Sequence, residues 1–209
     1  MTVGLANELD ADPGQLQHSK DLPVSDIFTS SELAMEYFIK GQLEIVIRNN
    51  LDSAIYFKKK AVREDPQFAL AKFILGSTYF QNSDLENAEK TLDNTMNIVY
   101  KLPEKWQYFF KYLSYIIKED AEKAIAVLNM WVDIFPDDVE PHEILAARYQ
   151  YRGDFQASIR EYETLLTLDA GQKHYYRYIG DLYLALVIRA DIASKSLPAP
   201  FFSTPRRVG

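Results

Sequence analysis

Phe68-Ala69-Leu70-Ala71-Lys72-Phe73-Ile74-Leu75-Gly76-Ser77-Thr78-Tyr79-Phe80, followed by Gln81-Asn82-Ser83-Asp84 and then Leu85-Glu86-Asn87-Ala88, is the stretch that decides the fold. An apolar first segment meets a short polar turn. Ser83 and Glu86 stand at capping-box spacing, which opens a second helix. Two helices joined this way form a hairpin, and the hairpin recurs. Ala54, Ala88, Ala124 and Ser158 hold one small-residue slot, at separations of 34, 36 and 34 residues. Gly76, Ala146 and Gly180 hold a second slot. One hairpin cannot bury its apolar face alone, so a fixed period points to a stacked array. Such an array works by its surface, which directs attention to a groove before a catalytic centre.

Outward from that stretch, helices dominate from Thr29 to about Leu186, with no alternating strand pattern bounded by turn residues. The first hairpin runs from Ser31 to Arg63, turning at Asn49-Asn50 and stopped by Asp65-Pro66. Thr29 to Glu32 reads as its capping box, with Thr29 as the N-cap. The second ends at Leu102-Pro103. Its repeat is two residues long, so an extended second helix is expected. The third turns at Lys118-Glu119-Asp120 and closes at Pro136-Asp137-Asp138. The fourth turns at Arg152-Gly153-Asp154, and a fifth begins at Lys173 with one helix from Tyr175 to about Leu186. The domain reading is a run-in over 1–28, a repeat array over 29–186 and an irregular tail over 187–209. Within the run-in, Thr2 to Leu9 suits a short helix, broken by Asp12-Pro13-Gly14, and Asp21-Leu22-Pro23 marks a linker.

The array resembles the tetratricopeptide repeat. The second hairpin carries Leu75-Gly76, Tyr79, Ala88 and Leu92. The fourth carries Leu145-Ala146, Tyr149, Gly153-Asp154-Phe155, Ser158 and Tyr162. The fifth carries Tyr176, Ile179-Gly180 and Tyr183, and the first Phe38, Ala54, Ala61 and Pro66. The resemblance implies an all-α, right-handed α-solenoid of about four helical hairpins plus one additional helix. Departures are Gly41, one position early, then Tyr112 in place of a small residue and Trp131 in place of alanine; looser or re-angled packing of the third hairpin is expected. Leu22-Pro23-Val24, Thr29-Ser30-Ser31, Ala61 to Ala71, Leu102-Pro103-Glu104-Lys105 and Phe135 to Val139 look like the repeat region of large bacterial signalling proteins. There, such repeats follow a kinase, a nucleotide cyclase or a DNA-binding regulator.

Composition narrows the function classes. Hydrophobic residues are 47% and charged residues 25% of 209, ordinary for a globular protein. A net charge of −7 disfavours a broad nucleic-acid surface. With no cysteine there are no disulfides, thiolate metal sites or cysteine nucleophile. No run reaches the ~18 apolar residues of a membrane span, and the first ten residues lack a basic n-region. A cytoplasmic location is the expectation.

In the resembling family the first helix of each repeat lines the concave face. By register the peptide-binding groove then holds Ile39, Leu43, Phe73, Ser77, Phe80, Trp106, Phe109 and Leu113, continuing to Gln150, Tyr151 and Arg177. The early part is apolar and aromatic, suited to an amphipathic helix or extended peptide. The alternative is that its aromatics are buried between repeats or beneath the run-in. Some relatives in the family clamp a C-terminal carboxylate with Lys, Asn and Arg. Here Ile39, Leu43, Phe73 and Ser77 stand at those positions, which disfavours that ligand. The run Lys58-Lys59-Lys60 with Arg63 reads as a solvated face or an acidic-partner patch.

Catalysis finds little in the residues. The histidines are His18, His142 and His174. None has a second histidine at metal-ligand spacing, and no Gly-rich phosphate loop occurs. The expectation is a non-catalytic scaffold with no cofactor or metal, whose partner is a protein or peptide and not nucleic acid. Self-association, or a regulatory sensor controlling an attached enzyme domain, is the alternative. At the C-terminal end the motif demands a turn after Leu186, but the chain continues Val187-Ile188-Arg189-Ala190 and then meets Pro198, Pro200 and Pro205. An interrupted fifth repeat or an unusual cap both fit. Residues 187–202 are expected to fold back over the fifth helix, and 203–209 to be disordered.

Overall fold

A computed structural model describes residues 28–169 and 171–196, with side chains as far as Ile192. The helix expected at Thr2 to Leu9, the linker at Asp21-Leu22-Pro23 and the polar end 203–209 lie outside the described residues. Among the described residues all regular structure is helical, and the chain divides into two compact units between Pro136 and Asp137.

The first unit stacks three hairpins. Helices α1 (Glu32–Val46) and α2 (Leu51–Glu64) form the first, α3 (Ala69–Gln81) and α4 (Leu85–Asp93) the second, and α5 (Glu104–Ile117) and α6 (Ala121–Ile134) the third. Sequential neighbours pack, α2 on α3 and α4 on α5 included. The recurring small slot explains the closeness: Ala54, Ala88 and Ala124 are all fully buried. At Gly76 a Cβ would lie 2.6 Å from the Leu92 Cδ2, so a larger residue there must displace Leu92.

The turns repeat as faithfully as the core. Asn49, Ser83, Glu119 and Gly153 all have left-handed backbone, with φ of 49°, 59°, 58° and 76°. Each precedes an N-cap, Asn50, Asp84, Asp120 or Asp154, whose side chain accepts from the backbone N–H three residues on. This corrects one cap: Asp84 caps α4, because Ser83 is spent on the left-handed turn. Another moves at the start of α1. Ser31, not Thr29, is its N-cap, its Oγ accepting from the Ala34 N–H at 3.2 Å. Thr29 instead accepts from the Ser31 N–H at 3.0 Å and donates to the Asp65 carboxylate at 2.5 Å, tying the chain's entry to the end of α2.

The two extra residues of the second repeat do not lengthen α4. The helix stops at Asp93 and a 3-10 segment follows over Met96–Lys101. Thr95 is fully buried, and its hydroxyl donates to the Thr91 carbonyl at 2.7 Å. That back-bond competes with the helical ladder. Ile98, Val99 and Leu102 then bury against the core of α3, α4 and α5. In the third hairpin both oversized residues are buried. Trp131, 1% exposed, stacks on Tyr108 at 6.3 Å and meets Phe109 at 6.4 Å, so rings fill the volume that a small residue leaves elsewhere.

The second unit holds α7 (Val139–Arg152), α8 (Phe155–Leu168) and α9 (His174–Ser196). Ser158 replaces alanine in the small slot and is fully buried because its hydroxyl donates to the Ala146 carbonyl at 2.8 Å. α9 buries Tyr175 and Leu182 against Tyr162 and Leu165 of α8. It runs ten residues past Leu186, so 187–196 is helical rather than irregular. Val187, Ile188 and Ile192 are exposed along it and do not fold back. At Gly180 no described residue lies within 4 Å of the Cβ position, so among the described residues no helix closes that slot as Leu92 closes the slot at Gly76.

Candidate peptide-binding surface

α1 owes its orientation to its inner face. Ala34 is fully buried, Phe38 meets Phe68 at 5.2 Å, and Gly41 lies against Lys58. With that face fixed, Ile39, Leu43, Val46 and Ile47 point away, at exposures of 49%, 48%, 79% and 72%. Their spacing, i, i+4, i+7 and i+8, makes one apolar stripe. Beside it is a hollow of about 290 Å³, lined by Lys40, Leu43, Glu44, Ile47, Arg48 and Phe57. Its rim is charged but balanced. Lys40 pairs with Glu36 at 2.5 Å, and Arg48 pairs with Glu44, whose side chain is largely buried.

The expected groove divides in α3 and α5. Trp106 is 40% exposed, and Ser77, Phe80 and Phe109 are half-buried. Phe73 and Leu113 are core residues instead, at 0% and 4% exposure. Trp106, Phe109 and Phe110 surround the Phe73 ring at 5.7–5.8 Å. The packing of α3 on α5 consumes the positions that register had assigned to a ligand. By register Ile47 is expected on this face of α1 as well, and Val46 and Phe57 extend the open apolar surface beyond the expected set.

Gln150, Tyr151 and Arg177 belong to the second unit and are all exposed, Tyr151 at 89%. The Arg177 guanidinium stands 5.0 Å over the Tyr178 ring. His142 is buried, and its Nδ1 lies 2.7 Å from the Glu161 carboxylate on α8. The Tyr175 hydroxyl donates to Glu143 at 2.5 Å, and burial followed by that carboxylate pushes its pKa well above the ordinary range. These contacts join helices. Among the described residues no three His, Asp or Glu side chains gather as a metal site needs, and no helix is long and apolar enough to cross a membrane.

The basic run is split by the fold. Lys58 lies with Ala54 and Ala61 on the small-residue face of α2, fully buried. Its ammonium donates to the Thr78 hydroxyl at 2.9 Å, and that hydroxyl donates to the Ile74 carbonyl. Burial lowers its pKa to about 8. Lys59, Lys60 and Arg63 stay at the surface.

Residues 41–94 match the family model of the tetratricopeptide repeat. Over that stretch the chain carries the tetratricopeptide repeat. Its fold is similar to that of MamA, at 19% identity and a TM-score of 0.54, over 78% of this chain and 87% of that one. A second similar structure, MamA from Desulfovibrio magneticus RS-1, gives 16% identity and a TM-score of 0.59 over 79% and 92%. A third is YrrB, described as a tetratricopeptide protein with an unusual peptide-binding site, at 16% identity and a TM-score of 0.50 over 73% and 77%. No curated protein matches the sequence. In tetratricopeptide terms α1, α3, α5 and α7 are first helices, and α2, α4, α6 and α8 are second helices.

Proposed function

We propose that this chain is a non-catalytic scaffold that binds a protein or peptide, and that α1 receives the apolar face of an amphipathic segment. The observation that carries the reading is the exposed stripe Ile39, Leu43, Val46 and Ile47 beside the 290 Å³ hollow. Fully burying such side chains is worth roughly 1.5–3 kcal/mol each before the costs of association. Trp106 and the half-buried Phe80 and Phe109 extend the same character to later first helices. The setting that fits the sequence resemblance is cytoplasmic, in a bacterial signalling protein where the scaffold serves an attached kinase, cyclase or regulator. The test uses the whole chain as bait, beside a Leu43→Glu/Ile47→Glu variant of unchanged circular dichroism. Partners that bind the native chain and are lost at least about tenfold from the variant support the reading; equal capture by both overturns it.

A second reading, self-association, rests on α9. Tyr176, Tyr183, Leu184, Val187, Ile188 and Ile192 line one exposed face. Light scattering decides it: a concentration-dependent dimer abolished by Leu184→Glu/Ile188→Glu supports it, and a monomer at all concentrations removes it.

A further inference from the structure

We propose that α2 and α4 form a second binding surface, whose ligand is an acidic peptide segment. Two hollows of about 300 Å³ each adjoin on these helices and share Lys59 and Arg63. Lys60 lines the first, and Lys90 with Asn94 the second. Elsewhere in this unit surface cations find carboxylates, as in Lys40 with Glu36 and Lys118 with Asp93. Lys59, Arg63 and Lys90 have no carboxylate within 4 Å among the described residues. Asp52, the one acid lining these hollows, accepts from the Asn82 side chain at 3.3 Å. A chain of net charge −7 thus gathers four cations on one face and leaves three of them unneutralised.

The fourth cation is held in place. The Lys60 ammonium stands 4.7 Å from the Tyr56 ring centroid and 5.1 Å from that of Tyr37. Its hydrogen bond with Tyr56 raises its pKa, so it stays charged. This arrangement also selects among anions. A single-stranded nucleic acid needs open ring faces for stacking, and Lys60 occupies both nearby tyrosines. Two adjoining hollows that share Lys59 and Arg63, four residues apart on one helix face, suit carboxylates on neighbouring side chains of a peptide.

The experiment is fluorescence anisotropy of the whole chain with a labelled oligoglutamate peptide. Binding is expected to weaken steeply as salt rises. Lys59→Gln/Arg63→Gln, both at exposed positions, should lose about tenfold or more in affinity with unchanged circular dichroism. Leu43→Glu/Ile47→Glu should bind the peptide as before, which separates this surface from the apolar one on α1. Absence of oligoglutamate binding, binding indifferent to the Gln variant, displacement by millimolar inorganic phosphate at low occupancy, or tighter binding of oligouridylate would each overturn the proposal.

Discussion

A Cβ on residue 41 would stand 2.8 Å from the Lys58 Cγ and 3.2 Å from the Ala54 carbonyl oxygen, so Gly41 and the buried lysine stem share one slot between α1 and α2. Gly41 faces Ala54 and Lys58 as Gly76 faces Ala88 and Leu92, and it comes one position early because eight residues rather than seven lead from it to the left-handed turn residue, Asn49 against Ser83. Gly41→Ala would gain about 1 kcal/mol of helix propensity. Against a stem held on every side, overpacking costs roughly 1–3 kcal/mol. The expected outcome is a lower melting temperature, restored when Lys58→Ala is added in the same chain. Calorimetry of the two single variants and the double variant measures the coupling.

Lys58 makes stability pH-dependent in a stated direction. Its folded pKa is about 8 against an ordinary 10.5, so between those values the unfolded chain holds a proton that the folded chain has released. Stability therefore rises from about pH 8 toward 10.5, and below 8 the full penalty of the buried charge applies. Lys58→Met should raise neutral-pH stability, on the order of 1–3 kcal/mol. It should also flatten the rise between pH 8 and 10, as urea titrations at three pH values would show.

Left-handed backbone at Glu119 and Ser83 costs a side-chain-bearing residue roughly 1–2 kcal/mol. Gly153 avoids that cost at the equivalent turn. Glu119→Gly should stabilise the chain by about 0.5–1 kcal/mol, with the Asp120 cap retained. Glu119→Val should destabilise it. If both substitutions lower the urea midpoint alike, the turn assignment is wrong.

The two tryptophans should respond differently. Trp131 is enclosed and Trp106 is 40% exposed. Trp131→Ala should cost roughly 3–5 kcal/mol, whereas Trp106→Ala should cost far less. Acrylamide should quench the emission lost in the Trp106 variant and spare the rest. A bound amphipathic peptide should shield Trp106.

The hairpins were legible because Ala54, Ala88 and Ala124 mark helix contacts that tolerate no larger group, and close packing imprints its period on the sequence. Caps were legible to within one or two residues. Ser83 and Asp84 both have a capping oxygen, and backbone geometry chooses between them. Lys58 was misread as part of a surface run. Its signal was present: it lies four residues after Ala54 and three before Ala61, on the same helical face. The groove was legible in part. Register names the first-helix positions, yet it cannot separate Phe73, drawn into the α3–α5 core, from Ile39, which is left half exposed.

The 3-10 segment at Met96–Lys101 has a further consequence, for how the stack comes apart. The bonds of a 3-10 segment are of poorer geometry than those of an α-helix, and Ile98, Val99 and Leu102 hold this stretch by burial. In a linear array each hairpin is secured by its neighbours. The seam between the second and third hairpins thus depends on side-chain desolvation more than on a peptide ladder. Amides around Asn94 to Leu102 should be the first interior ones to exchange with solvent deuterium. Cooling, which weakens apolar burial, should loosen this seam before it frays the helices on either side.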